Sequence, residues 1–185
     1  MSKTQENLAK AFVGESQARN KYTFFASVAK KEGFEQISAI FLETAENEKE
    51  HAKKLFQLLG EVSVNIPTSV GAGIGDTKVN LKHAAEGEKY EWGTMYPTFE
   101  KEAREENETE AADLFKELAE VEAQHEKRYL KLLENIESGK IFKKDVPVKW
   151  KCRNCGYVYE GIEAPQKCPA CKHPQAYYEI LAENY

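Results

Sequence analysis

The sequence predicts an all-α four-helix bundle with one long crossover, followed by a small β domain built around four cysteines. Three observations carry that prediction. Four long stretches repeat apolar residues at intervals of three or four, the spacing of one helix face. A Gly-rich segment containing Pro67 separates the second stretch from the third. All four cysteines fall in the last 34 residues, as Cys-x-x-Cys twice.

Composition narrows the field. The 185 residues, 41% hydrophobic and 31% charged, allow one full-sized core and a small appendage. A net charge of −5 implies no broad basic surface, which argues against a nucleic-acid partner. No apolar run approaches membrane-spanning length, and MSKTQENLAK lacks the apolar core of a secretory signal. Thiols in the reducing cytosol favour metal over disulfides, so a cytoplasmic location with no membrane partner is expected.

The first helix is expected over residues 5–31, with Leu8, Ala11, Glu15, Ala18, Tyr22, Phe25 and Ala29 on its inner face. Gly33 supplies the break. The second should run over about 35–59, turning Ile37, Phe41, Thr44, Glu48, His51, Leu55 and Leu58 inward. Residues 60–76 form a connection too long for a tight hairpin and suited to a crossover along the bundle. Asp76 or Thr77 can cap the third helix. Its inner face reads Leu81, Ala84, Glu88, Glu91, Met95 and Phe99, with a kink expected at Pro97. The fourth covers about 111–136, where Ala111, Phe115, Leu118, Glu122, His125, Tyr129, Leu132 and Ile136 share one face.

Acids inside these apolar stripes are the chemical signal. A buried carboxylate is costly unless a cation compensates it, and an imidazole one turn away pointing the same way favours a metal. Glu48-x-x-His51 and Glu122-x-x-His125 repeat that arrangement. Glu15 precedes Glu48 by 33 residues and Glu88 precedes Glu122 by 34. One Glu from each of two helices and Glu-x-x-His from each of the others is the ligand pattern of ferritin-like di-iron and di-manganese bundles. Carboxylate oxygen with imidazole suits iron or manganese. Glu91 is surplus to that template, and its spacing suggests that one metal exchanges Glu91 for His51 as its charge changes. Tyr22 and Tyr96 have two readings: core aromatics with a satisfied hydroxyl, or phenols that hydrogen-bond the metal-binding carboxylates. His83 and Glu43, Glu46, Glu50, Glu117, Glu120 and Glu126 read as solvated surface.

Residues 138–149 read as a linker, dividing a bundle domain, 1–146, from a tail domain, 147–185. Cys152, Cys155, Cys168 and Cys171 have the spacing of two metal-binding knuckles. The metal would staple a segment too short to hold on apolar contacts alone. Trp150, Tyr157, Tyr159, Tyr177 and Tyr178 are its candidate aromatic core, and His173 reads as non-ligating. Zinc would make the tail structural and iron would make it a one-electron carrier; spacing leaves both open.

The tail, with CRNCGYVYEG and CPAC, is similar to a rubredoxin-like domain. Its fusion behind two Glu-x-x-His motifs resembles the rubrerythrin family across essentially the whole chain. The resemblance implies a non-haem di-iron peroxidase that reduces hydrogen peroxide to water and protects against oxidative stress. It implies iron in both sites, electrons entering through the tail iron, and an external reductase (rubredoxin or NAD(P)H-dependent). Glu48 and Glu122 would bridge the two irons, Glu15 and Glu88 would be terminal, and His125 would sit on one iron. Glu91 and His51 would alternate on the other, and these two with Tyr22 and Tyr96 are the candidate catalytic residues. A head-to-tail homodimer is also implied. The alternatives are a ferroxidase that handles iron, and a zinc-ribbon tail that contacts other macromolecules.

Overall fold

The structure is a computed structural model and describes residues 2–184. Helices α1 (Lys3–Lys31) and α2 (Glu35–Leu59) form a hairpin. Gly33 turns it at φ +82°, with Phe34 N–H donating to Ala29 O and Gly33 N–H to Lys30 O. Paired bonds around a left-handed residue are a standard helix stop, and glycine adopts that φ without steric cost. α1 starts two residues before the expected boundary, because Ser2 and Gln5 cap each other's backbone N–H groups.

After the crossover, α3 (Thr77–Tyr90) begins where Asp76 accepts the Val79 N–H at 2.9 Å. A π-helical turn, Glu91–Met95, leads into α4 (Tyr96–Glu105), and α5 (Thr109–Glu137) comes next. α3, the π turn and α4 together make the third rod of the bundle. α1 packs on α2, and α3 and α4 pack on α5. The inner stripes meet as two apolar clusters. Tyr22, Phe25, Phe41 and Tyr129 mark one, and Leu8, Leu55, Tyr96 and Phe115 the other. Buried glutamates from all four rods join the two halves.

The π turn corrects one expectation. Tyr96 N–H donates to Glu91 O, five residues back, so one extra residue enters the helix and rotates α4 about its axis by about 100°. The fully buried position is therefore Tyr96, while Met95 stays half-buried. The irregularity expected at Pro97 lies in the preceding turn, and Pro97 sits in the first turn of α4, where its ring is tolerated.

In the tail, β1 (Lys143–Cys152), β2 (Val158–Glu163) and β3 (Tyr178–Ile180) form an antiparallel sheet in the order β2-β1-β3. Much of the stretch expected to be linker, 138–149, is thus strand, and β1 runs across the expected 146/147 boundary. Pro147 is accommodated because the register of β1 against β2 shifts between Lys143 and Val148. Trp150 and Tyr178 are buried as expected, but Tyr157 and Tyr159 are exposed, because a domain this small cannot cover every aromatic ring. Phe142 stacks on Phe34 at 6.5 Å, and Ala176 packs over Gly33. The tail therefore rests on the α1–α2 turn.

Candidate metal centres

Each rod delivers its acid to one level of the bundle. Glu15, Glu48, His51 and Glu122 present ligand atoms that all lie within 4.8 Å of one another, and so do Glu48, Glu88, Glu122 and His125. Glu48 and Glu122 belong to both sets, which is the geometry of two adjacent cation positions sharing two carboxylates. His51 Nδ1 lies 2.8 Å from Glu48 Oε2 and 3.1 Å from Glu122 Oε1. His125 Nδ1 lies 2.7 Å from Glu122 Oε2 and 3.2 Å from Glu48 Oε1. Both imidazoles thus aim at the oxygens that the two positions share.

The polar atoms of this layer test whether cations fit. Both oxygens of Glu48 and Glu122, one each of Glu15 and Glu88, and Nδ1 of both histidines are buried without a well-formed hydrogen bond. Buried donors and acceptors are normally paired, so a converging set of unpaired ones fits metal ions. The protonation balance agrees. Burial, followed by the Glu91 charge, drives Glu15 and Glu88 well above the usual carboxylate range. Burial acts against the charge of His125 too, yet Glu122 and Glu48 push it up to about 9. For Glu48 burial is outweighed by His125 and His51, which hold it down at about 2. The protein alone can neutralise this layer only by holding protons that cations would displace.

Tyr22 Oη donates to Glu88 Oε1 at 2.5 Å, and Tyr96 Oη donates to Glu15 Oε1. Burial, then the charges of Glu88 and Glu15 respectively, holds both phenols well above their usual pKa, so they remain donors. Both readings of the two tyrosines meet this geometry: each is a buried member of an apolar cluster, and each hydroxyl is satisfied by a carboxylate of the acid layer. Glu91 is the expected ligand that lies outside both donor sets. It is half-buried, and its Oε1 comes against α1 at Gly14, where a Cβ would meet it at 4.0 Å. Gly14 gave no signal in the sequence because a glycine inside a helix carries no sign of what faces it. Glu126, expected at the surface, accepts the Trp92 indole N–H at 2.7 Å in an exposed hydrogen bond that ties the π turn to α5.

In the tail, Cys152 Sγ and Cys171 Sγ are 3.7 Å apart, as are Cys155 Sγ and Cys168 Sγ. Sulfurs bonded at roughly 2.3 Å to one tetrahedral metal sit about 3.8 Å from each other, whereas a disulfide needs about 2.0 Å. The two knuckles are built alike. Gly156 N–H donates to Cys152 O and Lys172 N–H to Cys168 O, and both residues have positive φ, +78° and +65°. The His173 backbone N–H helps to hold the Cys171 thiol down at about 6, toward the thiolate a metal requires. The His173 ring packs edge-on against Tyr177 at 4.5 Å and is not part of the four-sulfur set.

Paired cation positions bridged by carboxylates, in a bundle with a long crossover and a tetrathiolate tail, define a ferritin-like di-iron protein with a rubredoxin-like iron domain. Comparison with known proteins agrees. The rubrerythrin family model matches residues 6–133, and the model described as "Rubrerythrin, rubredoxin-like domain" matches residues 150–179. The chain belongs to the rubrerythrin family. It is 56% identical to rubrerythrin-1 of Clostridium acetobutylicum, covering 100% of this chain and 97% of that one. It is 54% identical to the rubrerythrin of Porphyromonas gingivalis, covering 100% and 92%. A solved structure of nigerythrin in its fully reduced, all-ferrous state superposes with a TM-score of 0.67 at 33% identity, covering 98% of this chain and 88% of that one. The four-cysteine cluster fits the rubredoxin-like iron, the carboxylate and histidine cluster fits the di-iron site, and the family's role is oxidoreductive. None of the helices among the described residues is long and apolar enough to cross a membrane.

Proposed function

We propose that the protein is a hydrogen peroxide reductase. Its reaction takes one peroxide, two electrons and two protons to two waters. Iron held by the carboxylate and histidine layer would supply the electrons for O–O cleavage, and iron held by Cys152, Cys155, Cys168 and Cys171 would relay single electrons from an external reductase (rubredoxin or NAD(P)H-dependent). The observation that carries this reading is the position of Glu91. His51 already lies in one donor set, while Glu91 waits outside both. Four inner carboxylates balance two divalent cations; trivalent cations leave excess charge, which a fifth carboxylate answers better than a neutral imidazole. Glu91 and His51 would therefore alternate at one position, with Glu91 Oε1 standing against α1 at Gly14. Glu48 and Glu122, which belong to both donor sets, would hold both cations; Glu15 would serve one position, and Glu88 and His125 the other. Tyr22 and Tyr96 hold the terminal carboxylates in place and keep protons close to the reacting oxygens.

The route of electron delivery depends on where the tail docks. It rests at the α1–α2 turn, and Glu48 lies 13 residues beyond Glu35, the first residue of α2, or about 20 Å along the helix at 1.5 Å per residue. That separation favours delivery from the tail of a second copy in a head-to-tail homodimer.

Anaerobic reduction and then parallel exposure to peroxide and to dioxygen tests the reading. Peroxide is expected to re-oxidise the bundle at least about tenfold faster, about 1.4 kcal/mol of barrier. Faster oxidation by dioxygen, with iron retained, identifies a ferroxidase instead.

A further inference from the structure

Two openings reach the acid layer from different sides. A broad groove of about 810 Å³ beside α5 runs from Asn47 past Val121 and Gln124 to His125. A smaller cavity of about 250 Å³ lies between α1 and α3, under crossover residues Gly71, Ala72 and Gly73. Its lining includes Tyr22 and Glu91, so its inner end is the side of the site where Glu91 stands ready.

The cavity is kept open at a cost. Gly87 lines it from inside α3, one residue before Glu88. Glycine inside a helix is less favourable than alanine, because it gives up more backbone freedom on folding. No turn requires it, since Gly87 has no positive φ. No close neighbour requires it either, since a Cβ at Gly87 would meet nothing within 4 Å. The space that a side chain would fill is the cavity itself. Ala18 across the cavity on α1 and Ala84, one turn before Gly87 on α3, are also small, and Lys21 and His83 bring hydrogen-bonding groups to the lining. Such a passage suits a small polar molecule.

We propose that the α1–α3 cavity, and not the groove beside α5, is the route by which small polar oxidants reach the di-iron site, and that Gly87 sets its bore. Only the identity of the oxidant rests on the peroxide reading; the path does not.

Azide is the probe of the path, because its binding to the oxidised, iron-loaded full chain can be tracked by stopped-flow absorbance without turnover. Gly87→Leu fills the cavity from α3, and Ala72→Trp narrows it from the crossover without altering a helix. Val121→Trp obstructs the groove beside α5. With iron content matched, Gly87→Leu and Ala72→Trp are each expected to slow azide association by at least about tenfold. Val121→Trp should bind azide at the wild-type rate. The proposal is overturned if the two cavity variants bind azide at the wild-type rate, or if Val121→Trp slows it as much as they do. Ala72→Trp decides the matter should Gly87→Leu fail to fold. If peroxide proves no better an oxidant than dioxygen in the wild type, the peroxide reading fails while the azide rates still decide the route.

Discussion

Glu88 carries in one side chain the conflict on which the bundle is built. It is fully buried, takes one hydrogen bond from Tyr22, and has a second oxygen without a donor. Holding a proton there opposes what metal binding needs, so the acid is a liability without cations, and its place in a donor set suits it to them. Glu88→Gln should therefore move the two forms of the protein in opposite directions. The metal-free variant should be more stable than metal-free wild type by about 1–3 kcal/mol, the scale on which buried polar groups act. The variant should also bind less iron in the bundle while the tail iron is retained. Chemical denaturation and metal analysis check the two halves. An unchanged bundle iron content would remove Glu88 from the ligand set. The inward acids and imidazoles were legible in the sequence, since a Glu or His within an apolar stripe breaks the period visibly. Gly14 and Gly87 were not legible, because their role lies in the space they leave.

Helix ends obey chemistry that is only partly local. Gly33 and Gly139 end α1 and α5 at positive φ, as their residue type announces. Asn107 does the same after α4 at φ +62°, with Glu108 N–H donating to Ala103 O. The start of α1 depends on a distant residue. Glu106 accepts the N–H groups of Lys3 and Thr4, each at 2.8 Å, and the Thr4 hydroxyl at 2.6 Å. The Thr4 hydroxyl, then the backbone N–H groups of Thr4 and Lys3, pull its carboxyl from 4.5 down to about 2. A depressed folded-state pKa contributes stability that is complete above about 4.5 and is lost as pH falls toward 2. Glu106→Ala should lower Tm by a few degrees at pH 7, and the gap to wild type should close as pH falls through that window. Melting curves at a series of pH values check this, and a constant gap would exclude the ionised cap. No sequence pattern pairs residue 106 with residues 3 and 4. The π turn was equally hidden, since an extra residue in a helix changes hydrogen bonding without changing composition.

At the scale of the molecule, the proposed function divides the work between two metal sites. The tail rests on the α1–α2 turn, and in the proposed reading its iron is the electron carrier. Cys155→Ser should reduce turnover with the reductase by more than about tenfold, while a single re-oxidation of the pre-reduced bundle keeps its wild-type rate. Steady-state and single-turnover kinetics separate the two, and equal loss of both would refute the division. The sequence by itself determined the four rods, the crossover, the ligand types and the two thiolate knuckles, because each is written in local spacing. Only the tertiary structure decided that Glu91 stands outside both donor sets, that Tyr96 is fully buried while Met95 is half-buried, and that β1 begins inside the expected linker. It also decided where the tail docks and where openings approach the acid layer. Those outcomes depend on which distant surfaces meet and how much room remains between them, and no period along a single chain encodes that.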